Sequence, residues 1–200
     1  SPADDVYDRF EETLFAGHPL GRPILGTAAS VRKISGRELR QFTKEHFIPS
    51  NMALAVVADI EERKMEDSVL KLSGKAFDKA FTGHGERTVT PIPGTKAFNQ
   101  TVEKKNHEVN AVLGGLAPSI YDSKGRFATI LLNNIIGGPA SNSLLNSLLR
   151  EKNGWVYGVE SSYSQYTETG IMTISLGCER CNLEKCVDAV WKVTRRPQEE

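Results

Sequence analysis

The sequence predicts an α+β fold in which helices pack against mainly antiparallel sheets. Three observations predict it. Apolar residues recur at helical spacing in Asp4–Phe15 and again from Asn182 onward; Ile171–Leu176 alternates with period two; and a short turn at Thr167–Gly170 joins that strand to the one before it as a hairpin.

The elements follow in order. Asp4–Phe15 carries Val6, Phe10, Leu14 and Phe15 toward one side, and Pro2 suits a helix start, so a core-facing helix is expected. A Gly/Pro-rich turn spans Gly17–Gly26. Ser35 and Glu38 have the spacing of a capping box and open a helix bearing Leu39, Phe42 and Phe47, which Pro49 stops. Met52–Ala58 is a short apolar run between Asn51 and Asp59, which predicts a strand buried on both faces. A helix is expected around Glu61–Leu72. From Ser73 to Thr95 the chain turns polar and breaks at Gly74, Gly83, Gly85, Pro91, Pro93 and Gly94, the pattern of a linker.

Beyond the linker, strands are expected at Asn99–Lys104 and Glu108–Leu113, then a helix from Ser123 to Ile136 and a bend at Gly137-Gly138. The next helix carries Ser141, Leu144, Leu145, Leu148 and Leu149 into the basic residues Arg150 and Lys152, and Gly154 suits a left-handed C-terminal cap. Trp155–Gln165 reads as a strand. The hairpin returns through Ile171–Leu176, with Met172, Ile174 and Leu176 on one face, and the last helix carries Val187, Val190 and Trp191. The whole is two unequal parts around a linker.

Composition excludes several function classes. Twenty-five basic residues balance 25 acidic ones, so no basic footprint for nucleic acid exists, and no apolar run approaches a membrane span. Three cysteines crowded between Cys178 and Cys186 lack the dispersed pattern of a disulfide framework, which favours a reducing cytoplasm.

The candidate chemistry lies at one helix end. Arg150 on the last helical turn and Tyr157 near the start of the following strand flank a single surface. A planar, always-charged guanidinium can grip a peptide carbonyl or carboxylate, and a phenol can donate to an oxyanion. Taken alone the spacing is weak evidence, since most such Arg/Tyr pairs are ordinary surface residues. Other motifs read as structural: Phe42-Thr-Lys-Glu45-His46 offers one His and one Glu, too few for a metal; Cys178, Cys181 and Cys186 have no fourth ligand nearby; and His18, His84 and His107 are scattered. Gly137-Gly138 lacks the spacing of a phosphate loop.

GHPLGRPILG at Gly17–Gly26, the helix and strand of Ser35–Asp59, and LLNNIIGGPASNSLLNSLLREKNGWVY at Leu131–Tyr157 together resemble the pitrilysin/insulinase family of zinc metallopeptidases, nearest the branch of mitochondrial processing peptidase and its bacterial relatives. The likeness runs from Asp4 to Trp191. It implies two-layer, metalloprotease-type half-domains facing each other across a cleft: residues 1–80 the end of a metal-bearing half, 81–97 the linker, and 98–200 an incomplete second half.

The family's zinc is held by the two His of an H-x-x-E-H helix and a later Glu, and no such motif occurs here. The resemblance puts Ser1 just after those ligands, so zinc is expected in a parent protein and not in this segment. It implies that Arg150 and Tyr157 reach across the cleft to hold an extended peptide or unfolded polypeptide and stabilise the oxyanion of peptide hydrolysis. It also implies a partner in the remaining half-domain, and homo- or heterodimers. The alternatives are a non-catalytic supporting subunit of such a heterodimer and a self-contained binding module. Because neither part closes its own core, exposed apolar surface or pairing with another copy is expected.

Overall fold

The structure, a computed structural model, describes residues 2–76, 89–105 and 107–195. Its centre is an antiparallel hairpin with a third strand: β1 (Val109–Ala117), β2 (Val156–Gln165) and β3 (Gly170–Cys178) lie in the order β1-β3-β2. Tyr166 donates its backbone N–H to the Thr169 carbonyl at 2.8 Å, which closes the expected turn. Being central, β3 is hydrogen-bonded along both edges, and an apolar cluster lies on each of its faces. Side chains alternate across a strand, so Ile174, Leu176 and Cys178 enter one core and Ile171 enters another.

Helix α1 (Pro2–Leu14) covers the Ile171 face. Its Phe10 and Leu14, with Phe15 just beyond, are the buried side chains that the helical spacing predicts. Asp4 and Asp5 in its first turn complement the helix dipole. The opposite face is covered by α5 (Ser123–Gly137), by a π-helical turn at Asn146–Lys152, and by α6 (Leu183–Arg195), which buries Cys186, Ala189, Val190 and Val193 at i, i+3, i+4 and i+7. Trp191, by contrast, is exposed. Gly137 is a contact glycine, since a Cβ there would stand 2.8 Å from Ser161 Cβ, so α5 approaches β2 only because this residue has no side chain.

By contact, Ser1–Ile24 and Val89–Glu200 form one compact unit and Leu25–Thr88 a second. Within the first unit, α1 packs on the later strands. The second unit holds α2 (Ala28–Lys33), α3 (Gly36–His46) and α4 (Glu62–Ala76). The Ser35/Glu38 capping box is present: the Glu38 N–H donates to Ser35 Oγ at 3.2 Å and the Ser35 N–H to Glu38 Oε2 at 2.7 Å. That return contact holds the Glu38 carboxyl below its ordinary value. A second box, Thr27 with Ser30, opens α2, which the sequence did not lead us to expect.

Three expectations need correction. Met52–Ala58 is extended but forms no strand, and its Leu54, Val56 and Val57 are exposed, because a lone run has no ladder partner among the described residues. Asn99–Lys104 is likewise no strand. Its stretch bonds to side chains of α1 instead: Lys104 Nζ donates to Asp5 Oδ2 at 2.6 Å, Thr13 Oγ1 to Gln100 Oε1 at 3.3 Å, and Phe98 packs on Phe10 with ring centroids 5.6 Å apart. Finally, α4 continues through Gly74 to Ala76; the rest of the proposed break up to Thr88, with Gly83, His84 and Gly85, lies outside the described residues.

Candidate functional site

The helix expected before Arg150 is in its last seven residues a π-helix, Asn146–Lys152. Leu145 and Leu149 are fully buried beneath it, which pins the turn to the sheet. Asn146, also buried, donates through Nδ2 to the Gly138 carbonyl at 3.2 Å and to Ser143 Oγ at 2.9 Å, tying the turn to the end of α5. The stop is as predicted: Gly154 has φ +60°, its N–H donates to the Arg150 carbonyl at 3.1 Å, and the Trp155 N–H donates to the Leu149 carbonyl at 2.9 Å. Arg150 therefore sits on the final turn with its side chain exposed. Its Nε is 4.0 Å from Glu151 Oε1, a surface ion pair that fixes little.

Tyr157 lies two residues into the chain reversal, on a β-bulge. Val156 faces Cys178 and Gly158 faces Gly177, so Tyr157 is the extra residue with no partner across the hairpin. A bulge re-aims its side chain, and here the ring is mostly exposed. Tyr157 Oη donates to Glu179 Oε1 at a long 3.5 Å. Partial loss of water around the hydroxyl, then the negative Glu179 carboxylate, raise this phenol above its ordinary value, so Tyr157 is a protonated donor at neutral pH. Arg150 and Tyr157 thus stand at the two ends of one helix–turn–strand connection, each head against a different carboxylate.

Glu179 is the residue that sequence reasoning missed. It was hidden between Cys178 and Cys181, which drew attention as possible ligands. Counting back along the hairpin from its turn brings the end of β3 beside Tyr157, and that signal was available. Its Oε2 accepts from Cys181 Sγ at 3.6 Å, so one carboxylate is held between a phenol and a thiol.

The other motifs are structural in the protein. Cys178 and Cys186 are fully buried in the core and Cys181 is exposed, all three as free thiols. In α3, His46 stacks on Phe42 with centroids 4.4 Å apart, and Glu45 Oε1 accepts from Gln41 Nε2 at 2.7 Å. His18 is buried; its Nδ1 accepts from the Leu20 N–H at 3.2 Å and its Nε2 lies 3.1 Å from the Thr90 carbonyl. A carbonyl only accepts, so the ring is the neutral Nε2–H tautomer, and it ties the turn that follows α1 to the backbone at Thr90. Among the described residues no group of three or more His, Cys, Asp or Glu is placed to hold a metal ion. No helix among them is long and apolar enough to cross a membrane.

Comparison with known proteins adds what geometry cannot. A family model described as the peptidase M16 inactive domain matches residues 33–200. An uncharacterized zinc protease of Streptomyces coelicolor is 28% identical over 88% of this chain and 39% of its own length. One of Bacillus subtilis is 29% identical over 95% of this chain and 44% of its own length. The chain thus spans less than half of these curated relatives. Among solved structures, a peptidase M16 inactive domain from Pseudomonas fluorescens superposes with a TM-score of 0.86 at 23% identity, covering 98% of this chain and 46% of that one. A protease from Helicobacter pylori gives 0.72 at 20% identity, over 96% and 47%.

Proposed function

The chain belongs to the peptidase M16 family, the pitrilysin/insulinase zinc metallopeptidases, and from that premise we propose that it supplies the substrate-holding half of a peptide hydrolase. The observation that carries this reading is the placement of Arg150 and Tyr157: both exposed, at the two ends of a rigidly capped turn, one cationic and one a protonated donor. Zinc is proposed for the parent protein because the relatives are named zinc proteases. Substrates are proposed to be extended peptides or unfolded polypeptides, the remaining half-domain the obligatory partner, and residues 81–97 the link between halves. A cytoplasmic location is proposed from the free, clustered thiols.

In the reaction, the Arg150 guanidinium holds a substrate carbonyl or carboxylate and orients the backbone. As water adds to the scissile carbonyl, negative charge grows on its oxygen. The Tyr157 hydroxyl, protonated and re-aimed by its bulge, donates to that oxygen and binds it more tightly as the charge develops.

The test is peptide hydrolysis by the full-length parent. Tyr157→Phe should lower kcat by about a hundredfold or more, the cost of one oxyanion donor. Arg150→Lys should raise KM, because an ammonium cannot make the two-pronged contact. Unchanged kinetics in both variants would remove the assignment. The 200-residue chain by itself should bind no stoichiometric zinc and cleave nothing; zinc at one equivalent together with chelator-sensitive cleavage would overturn that. A parent with intact Arg150 and Tyr157 but no hydrolysis would favour the supporting-subunit alternative.

A further inference from the structure

Glu179 touches the proposed oxyanion donor and belongs to neither of the roles assigned above. It follows β3 directly, is exposed, and makes two contacts: Oε1 accepts from Tyr157 Oη at 3.5 Å, and Oε2 accepts from Cys181 Sγ at 3.6 Å. Its backbone is fixed too, since the Glu179 carbonyl accepts from the Asn182 N–H at 3.0 Å in the short turn that leads into α6. The neighbouring Arg180 is turned to Glu103, with Nη2 2.9 Å from Oε1, and so is drawn away from Glu179. The carboxylate is left to the phenol and the thiol.

A phenol has one proton to donate. While Tyr157 Oη gives it to Glu179 it cannot give it to a substrate oxyanion. The bulge makes the alternative cheap, because Tyr157 has no cross-strand partner to hold its ring in place, and a 3.5 Å contact is at the weak end of hydrogen bonding. We propose that Glu179 is a positioning residue that parks the Tyr157 hydroxyl in the substrate-free protein and yields it when a peptide oxyanion forms. The proposal rests on the assignment of Tyr157 as oxyanion donor. Cys181 takes part by holding the second carboxylate oxygen, so that Glu179 stays aimed at the phenol.

Two variants separate this idea from the assignment beneath it. In the 200-residue chain labelled with 13C at the tyrosine ring carbon bearing the hydroxyl, Tyr157→Phe identifies the Tyr157 signal. Glu179→Ala and Glu179→Gln should both lower the pH at which that signal titrates, because a negative neighbour that accepts the phenolic proton has gone. Cys181→Ser should move it less. In the parent enzyme, Glu179→Ala should raise kcat/KM by about two- to tenfold, the worth of releasing one ordinary hydrogen bond. An unmoved Tyr157 titration, or a kcat/KM that stays level or falls while Tyr157→Phe still abolishes activity, overturns the parking role and leaves the donor assignment standing. If Tyr157→Phe itself changes nothing, the donor assignment fails first. Glu179 is exposed, so folding of the variants is not at stake, and equal melting temperatures will verify it.

Discussion

At the scale of single residues, the three cysteines show how neighbours decide chemistry. Cys178 at the end of β3 and Cys186 on α6 have no solvent-accessible surface and lie in one apolar cluster. Burial first, and then the neighbouring Cys186, pushes the Cys178 thiol from 9.0 up to about 11. Burial raises Cys186 as well. A thiol that resists ionisation is a poor nucleophile, so a disulfide-exchange reagent at pH 8 should count one thiol in the native chain, Cys181, and three in denaturant. Three native thiols would contradict the packing. The pH dependence follows from the same shift. Below pH 9 the thiol is neutral whether folded or not, and its contribution to stability is complete; between pH 9 and about 11 the unfolded thiol ionises while Cys178 resists, so stability falls. Denaturant midpoints measured across that interval should decline, and Cys178→Ala should flatten the decline. The sequence could not separate the one accessible thiol from the two buried ones, since that depends on which side of β3 the chain leaves.

At the scale of elements, the legible parts were those fixed by local chemistry. The α1 face of Phe10 and Leu14, the Ser35/Glu38 box, the hairpin turn expected at Thr167–Gly170 and the Gly154 cap all depend on residues within a few positions of one another. What escaped was a change of register in two places beside the site: the π-helical turn before Arg150 and the bulge at Tyr157. Both add one residue to a regular ladder, and both exist because tertiary contacts hold them, the first by burying Leu145 and Leu149, the second by keeping Val156 in the core while Gly158 regains the strand. The turn should therefore be stiff and sensitive. Gly154→Ala forces a Cβ into a left-handed residue and should destabilise the chain by about 1 kcal/mol. Leu149→Ala removes a fully buried side chain and should cost about 2–5 kcal/mol. Chemical denaturation reads both. A Gly154→Ala variant as stable as the parent chain would mean that the cap does not fix Arg150 as described.

At the scale of the whole molecule, the chain divides into two units, and among the described residues both apolar clusters lie in one of them. Among the described residues every buried side chain belongs to the Ser1–Ile24, Val89–Glu200 unit, and none of residues 25–75 is buried. Leu39, Phe42, Phe47, Leu54 and Val57 are all more than half exposed. Full burial of each would be worth about 1.5–3 kcal/mol. The sequence led to the expectation that neither part closes its own core; the exposed apolar surface named here lies on residues 25–75, whereas the other unit buries two clusters. The identity of Met52–Ala58 was not legible, because a strand is defined by its neighbour and the pattern of one run carries no information about whether a neighbour is there. The consequence is a gradient of protection. Amides of β3, bonded on both sides and buried on both faces, should exchange slowest, while those of α2, α3 and α4 should exchange orders of magnitude faster, since helices this short gain little stability without packing. Hydrogen exchange followed by mass spectrometry resolves the two units. Adding the remaining half of the parent protein should slow exchange across residues 28–76 and leave β3 unchanged; equal protection of both units in the chain alone would show that residues 25–75 are buried in solution by pairing with a second copy.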